Sequence, residues 1–198
     1  MLKRVFDLFC SVIGFAILLP LFFILSLLIV LDSNGGIFYR QMRVGKNNVD
    51  FGLFKFRTME PESDKKGLLT VGGKDPRITR VGYYLRKYKL DELPQLLNVI
   101  AGDMSLVGPR PEVRKYVNLY NSEQQKVLLV KPGITDYASI EYFDENELLG
   151  KSTNPEMTYI QEVMPAKLNL NLKYIKERSF AVDFKIIIKT ISKIVIKK

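Results

Sequence analysis

The chain contains no histidine and a single cysteine, Cys10. The first absence removes the side chain that most often serves as a general base near neutral pH and most often ligates a metal. The second rules out an intrachain disulfide and a cysteine-based zinc cluster. Chemistry here must therefore lean on carboxylates, hydroxyls, lysines or tyrosines. Internal repeats and low-complexity tracts are also lacking. At 198 residues the chain suffices for one domain with a modest core. What it has in excess is positive charge, with 30 lysines and arginines against 21 acids and a net charge of +9. That balance suits nucleic acid, an anionic membrane or a phosphorylated substrate.

Residues 5–31 are almost entirely apolar, broken by Asp7, Ser11, Pro20 and Ser26. At about 1.5 Å per residue such a run crosses a ~30 Å hydrocarbon layer. It is too long for a signal-peptide core, and no small-residue cleavage site follows it. Two readings fit. One is a plain spanning helix. The other is a re-entrant helix–break–helix that dips into one leaflet, because Pro20 deletes a helical hydrogen bond in mid-run. The flanks also argue against a simple span, though the two readings stay near even on the sequence alone. Lys3 and Arg4 precede the run and Arg40, Arg43 and Lys46 follow it, so both ends carry the basic signature of a cytoplasmic face.

In the remainder, residues 32–36 read as a turn, 37–40 as a short strand, 41–48 as a basic loop and 51–59 as a strand. Residues 60–77 read as a polar loop and 78–89 as a basic helix. Asp91 is placed as the N-cap of a helix running to about residue 100, with Pro94 in its first turn. Further helices are expected over 112–130, 141–149 and 154–172. At the C-terminus Lys185, Lys189, Lys193 and Lys197 recur every four residues, with Ile187, Ile188, Ile191, Ile194 and Val195 between them. The pattern predicts a basic amphipathic helix over 180–198, suited either to anionic lipid or to the domain surface.

Asp91 and Glu92 stand together at a predicted helix start, where free N–H groups and positive potential favour both carboxylates and phosphates. A carboxylate there can ligate Mg2+, and it can also attack phosphorus to form an acyl phosphate. A lone acidic pair is more often a cap with a solvated neighbour, but here Arg77, Arg80, Arg86, Lys87 and Lys89 precede it. Gly108-Pro109-Arg110-Pro111 reads as a rigid corner presenting an arginine able to grip phosphate with two parallel hydrogen bonds. Arg43, Lys55 and Arg57 are weaker candidates for the same task. Tyrosines and basic residues mingle over 77–89, yet no zinc finger, RNA-binding sheet motif or helix-turn-helix appears, so nucleic acid is not an expected partner.

These stretches, taken in order, resemble the bacterial sugar transferases, the monotopic phosphoglycosyl transferases. The likeness runs nearly end to end. It comprises Lys3 to Asp7, Gln41 to Gly45, Lys55 to Met59, Asp75 to Gly82, Leu90 to Leu96, Gly102 to Pro111, Lys131 to Thr135 and Tyr174 to Asp183. The resemblance implies a mostly helical α/β fold, with a re-entrant membrane helix and turn over 1–36. A compact catalytic domain over 37–179 would face the cytoplasm from the bacterial inner membrane, and an interfacial helix would cover 180–198. It implies transfer of a sugar-1-phosphate from a UDP-sugar to polyprenol phosphate, with release of UMP and use of Mg2+. Carried over, Asp91 is the nucleophile of a ping-pong reaction and lies at the metal, Glu92 assists it, and Arg110 holds phosphate. Arg43, Lys55, Arg57, Arg77, Arg80 and Thr135 fall in matching blocks and are counted as substrate-binding candidates. Inner-membrane lipid is an expected partner, and a homodimer is left open. The contrary reading is a membrane-anchored scaffold with no activity.

The chain departs from the family pattern at two places. Leu19 stands before Pro20 where a small polar residue is common. Asp136, Tyr137, Ala138 and Ser139 follow Pro132 to Thr135 where glycine, a bulky residue and Ala-Gln are common, which points to a different sugar. No further membrane helices of the kind found in larger members precede the run, so the likeness is to a minimal catalytic unit.

Overall fold

The structure is a computed structural model that describes residues 2–63 and 75–196. Much of the loop expected over 60–77 lies outside the described residues. The first helix, α1, runs from Leu2 to Asp32 with Pro20 inside it. Its 31 residues amount to about 46 Å of helix. It is long and apolar enough to cross a membrane.

Helix α1 is fastened to the rest of the chain at both ends. Near its start Arg4 donates to the carbonyls of Val99 and Ile100 at 2.6 and 3.1 Å. The Asp7 carboxylate accepts from Ser105 Oγ at 2.7 Å, and Lys3 pairs with Asp183. At its far end the Asp32 carboxylate accepts from the Val81 N–H at 2.8 Å. Between these anchors Phe22, Leu25 and Ile29 pack on Phe56 and Leu85. The opposite face leaves Phe9, Ile17, Phe23, Ile24 and Leu31 exposed.

Strands β1 (Phe38–Val44) and β2 (Asp50–Phe56) form an antiparallel hairpin in which Phe38 faces Phe56 and Val44 faces Asp50. The strand predicted to end at residue 40 thus continues through Arg43, because the ladder with β2 satisfies its backbone. Helix α2 (Arg80–Lys87) is capped by Thr79, whose Oγ1 accepts from the Gly82 N–H at 3.0 Å. Gly82 has to be glycine: a Cβ there would lie 2.2 Å from the Thr58 carbonyl oxygen.

The expected helix capped by Asp91 is replaced by two elements. Leu90–Glu92 is a 3-10 turn entered through Lys89 at φ 57°, and α3 begins only at Gln95 and ends at Ala101. Pro94 forces the division by lacking an N–H, and Asp91 is buried rather than capping. Strands β3 (Ser105–Val107) and β4 (Gly133–Thr135) pair in parallel. Between them the predicted long helix shrinks to α4 (Arg114–Val117) and a 3-10 segment, Gln124–Leu129. Asn121 interrupts it, its side chain accepting from the Gln124 N–H at 2.9 Å.

Four helices follow: α5 (Tyr137–Glu141), α6 (Glu145–Gly150), α7 (Pro155–Thr158) and α8 (Met164–Glu177), the last two joined through a π-helical turn at Tyr159–Val163. The helix predicted over 154–172 therefore extends to Glu177. Helix α9 (Phe180–Ile196) closes the described chain. It buries Asp183 and Ile186 and exposes Phe184, Ile188, Ile191 and Val195. Lys197 of the predicted stripe lies outside the described residues. The main core gathers Val44, Val113, Tyr116, Leu149, Tyr159, Met164 and Leu168. The whole is mixed α/β and mostly helical.

Candidate active site

The described residues surround a cavity of about 860 Å3. Its polar lining includes Arg43, Lys55, Asp91, Glu92, Arg110 and Glu112. Apolar residues of two helices also line it: Phe6, Cys10, Gly14 and Leu18 of α1, and Phe184, Ile187, Ile191 and Ile194 of α9. The α1 set falls at four-residue intervals, one ridge of the helix. Its two middle members are small, which leaves width between the helices.

The 3-10 turn sets the two carboxylates in different surroundings. Glu92 accepts from Arg110 through both oxygens, with Arg110 Nη1 at 3.0 Å from Oε2 and Nη2 on Oε1. Lys55 Nζ lies 3.6 Å from the same Oε1. Burial opposes ionisation of Glu92, yet the Arg110 and Lys55 charges outweigh it and hold the carboxyl well below its usual range. Asp91 is buried too, and its Oδ1 has no hydrogen-bond partner among the described residues. Burial, with the neighbouring Glu92 charge adding to it, raises the Asp91 pKa; Lys55, Arg86 and Lys89 pull the other way. Burial also lowers Lys55 to about 8, against the pull of Glu92.

Arg110 is positioned from behind. Its backbone N–H donates to Asp136 Oδ2 at 3.2 Å, while Asp136 Oδ1 caps α5 by accepting from the Ser139 N–H at 2.6 Å. The aspartate that departs from the family pattern is thus a fully buried strut between α5 and the arginine corner. Arg43 donates to Glu112 Oε1 at 2.9 Å and to the Pro111 carbonyl at 3.1 Å. Glu112 also accepts from the Tyr159 hydroxyl. Thr135 Oγ1 sits 2.6 Å from Thr190 Oγ1 on the cavity wall.

Arg57, Arg77 and Arg80 do not line the cavity. Arg57 is buried among carbonyls just beyond α1, donating to Ser33, Asn34 and Gly36 oxygens at 2.8, 2.7 and 2.6 Å. In this place it clamps the end of α1. Arg77 grips Asp75, Nη2 to Oδ2 at 2.6 Å, and Arg80 is exposed at the first position of α2. Sequence reasoning missed Glu112, Tyr159, Asn171 and the Lys167–Glu145 pair at 2.6 Å, all on the cavity wall. Only Glu112 carried a signal, its place directly after the Gly-Pro-Arg-Pro corner.

Among the described residues no three acidic or sulfur side chains gather into a metal cluster. Both Glu92 oxygens serve Arg110, which leaves the unpartnered Asp91 Oδ1 as the free donor. One carboxylate fits Mg2+, which keeps waters and takes substrate phosphate oxygens for the rest of its shell.

A guanidinium–carboxylate pair beside a carboxylate with an unpartnered oxygen, in a cavity also lined by apolar residues of two helices, can take an anionic group together with an apolar one. The chain belongs to the bacterial sugar transferase family, whose profile matches residues 1–197. It is 37% identical over 193 residues to the UDP-N-acetylgalactosamine-undecaprenyl-phosphate N-acetylgalactosaminephosphotransferase of Aeromonas hydrophila, covering 96% of this chain and 43% of that protein. It is 34% identical over 196 residues to the UDP-glucose:undecaprenyl-phosphate glucose-1-phosphate transferase of Escherichia coli K12, covering 98% and 40%. The exopolysaccharide production protein PSS of Rhizobium leguminosarum bv. phaseoli is 36% identical over 197 residues, covering 96% and 93%. The chain thus spans less than half of the first two relatives and nearly all of the third.

Proposed function

We propose that this protein transfers a sugar-1-phosphate from a UDP-sugar to undecaprenyl phosphate, releasing UMP, as the first membrane step of glycan assembly. The observation that carries this reading is the buried, unpartnered Asp91 Oδ1 beside the Glu92–Arg110 pair. A buried carboxylate oxygen that accepts no hydrogen bond from the protein is a stronger nucleophile than a solvated one. Asp91 attacks the sugar-bearing phosphorus, the bond to the UMP oxygen breaks, and UMP carries away the electron pair. A phosphosugar-aspartate remains. An oxygen of the lipid phosphate then attacks the same phosphorus, and the Asp91 carboxylate is regenerated as the polyprenyl diphosphosugar leaves. Arg110, held in plane by Glu92, and Lys55 offer positive charge to the phosphoryl oxygens in both steps. Mg2+ held at Asp91 would neutralise diphosphate charge.

The apolar lining of the cavity supports a lipid acceptor, since the isoprenoid chain can lie between α1 and α9 while its phosphate reaches the polar lining. The anchoring of α1 at both ends to one domain supports a re-entrant rather than a spanning placement: a straight crossing would carry one end to the far side of the bilayer. The basic flanks support a domain on the cytoplasmic face of the inner membrane, with the lysine face of α9 toward anionic headgroups. Cysteines at Leu2 and Val49, both exposed, should react with an impermeant reagent from the same side; labelling from opposite sides would overturn the re-entrant reading.

The reaction is tested by UMP release from the protein in lipid nanodiscs with Mg2+, undecaprenyl phosphate and a panel of UDP-sugars. Release that needs both the lipid and Asp91 is expected. Release by an Asp91→Asn variant at the native rate would overturn the covalent mechanism.

A further inference from the structure

On the wall shared by α5 and α8, Asn171 is only 4% exposed. It lines the cavity, yet its Oδ1 has no hydrogen-bond partner among the described residues. Also lining the cavity, Ser139 has its Oγ likewise buried and without a hydrogen-bond partner among the described residues. Two such atoms on one wall are costly in a folded protein unless something in the cavity answers them. Their surroundings are mixed, with Tyr142 and Leu168 also facing the space. An amide acceptor and a hydroxyl among apolar side chains suit a ligand that carries hydrogen-bonding groups on a partly apolar frame.

We infer that Asn171 and Ser139 form the subsite that reads the hexose of the donor, an inference that rests on the transferase reading above. In it, a sugar hydroxyl or amide N–H donates to Asn171 Oδ1, and the Ser139 hydroxyl meets a second sugar oxygen. Position favours the sugar over the base. Ser139 lies three residues after Asp136, which holds the backbone N–H of Arg110, and Arg110 pairs with the neighbour of Asp91. This wall therefore starts beside the point where phosphorus is transferred, and the hexose is one oxygen atom from that phosphorus. The isoprenoid chain, having no hydrogen-bonding groups, cannot satisfy either atom.

Binding to the full chain in nanodiscs tests this, with UDP-N-acetylgalactosamine, UDP-glucose and UMP as probes. The Asn171→Leu variant should bind the better of the two sugar nucleotides about 10- to 100-fold more weakly, the range expected for a lost buried hydrogen bond. It should bind UMP as before. Asn171→Asp, which keeps an acceptor, should recover part of the loss. Ser139→Ala, a milder change at an independent position, should shift the same sugar nucleotide in the same direction by a smaller factor, so a misfolded Asn171→Leu would not leave the question open. Equal weakening of UMP and sugar nucleotide would assign the wall to the nucleotide and overturn the inference. Unchanged binding of all three probes would overturn it as well. Failure of the transferase reading shows elsewhere: the unsubstituted protein would release no UMP.

Discussion

One stretch of the cavity wall has all its charges matched, and another does not. Glu92 with Arg110, Glu112 with Arg43 and Glu145 with Lys167 are ion pairs. Asp91, Ser139 and Asn171 present buried oxygens with no partner among the described residues. The first region is what a chain builds to keep charged groups inside a fold. The second is what it builds when a ligand supplies the missing half of each bond. Adjacent residues fall on opposite sides of this divide: Glu92 is held ionised by its arginine, and Asp91 has its pKa raised by burial.

Replacing Asp91 should separate the two regions most sharply. The Asp91→Asn variant should lose about 1,000-fold or more in turnover, since an amide cannot carry the phosphoryl group. Its stability should not fall, and a gain of about 1 kcal/mol is expected from removing a buried charge whose Oδ1 accepts no hydrogen bond among the described residues. The sign agrees with the pKa: a carboxyl raised on folding is stabilised by protonation, so its ionised form at neutral pH works against the fold. A thermal melt beside the UMP assay would show both effects, and a large drop in melting temperature would mean that Asp91 belongs with the matched charges after all.

Arg110 should behave in the opposite sense. Arg110→Met leaves the buried Glu92 with Lys55 alone, at 3.6 Å, and should cost about 2–3 kcal/mol, somewhat less than a fully enclosed pair because the guanidinium is partly exposed. Adding Glu92→Gln should return most of that stability while turnover stays low. Glu92 is depressed on folding, so its contribution is present above the ordinary carboxylate range and is lost as the pH falls through its lowered value. Acid unfolding of the native protein should therefore weaken in the double variant. A double variant no more stable than Arg110→Met would break the contrast.

The difference between the regions was only half legible in the amino-acid order. Asp91, Glu92 and Arg110 announce themselves because they stand in short motifs whose chemistry is local. The amphipathic face of α9 is legible for the same reason, as a period in one helix. Arg57 was not: on a strand it resembles any basic residue, and only the fold carries the end of α1 to it. Asp91 as a cap followed from propensity, and the turn enforced by Pro94 overrode it. Asn171 gave no signal, since its meaning lies in what α5 and α8 leave unsatisfied between them, and no sequence interval expresses that.

Lys55 touches both regions, pairing at 3.6 Å with Glu92 while its charge also bears on Asp91. Its lowered pKa of about 8 makes it the group that ties them to pH. Below that value it is charged and can steady phosphate; above it the charge is lost, so turnover should decline on the alkaline side by about 10-fold. The acid side is set by Asp91, which must be ionised to attack, and should lie above the range of an ordinary aspartate. Lys55→Arg keeps its charge at every accessible pH and should flatten the alkaline decline. Lys55→Met should hold turnover at the low alkaline level throughout. If the decline near pH 8 survives in Lys55→Arg, some other group titrates there, and Lys55 belongs to the matched wall alone.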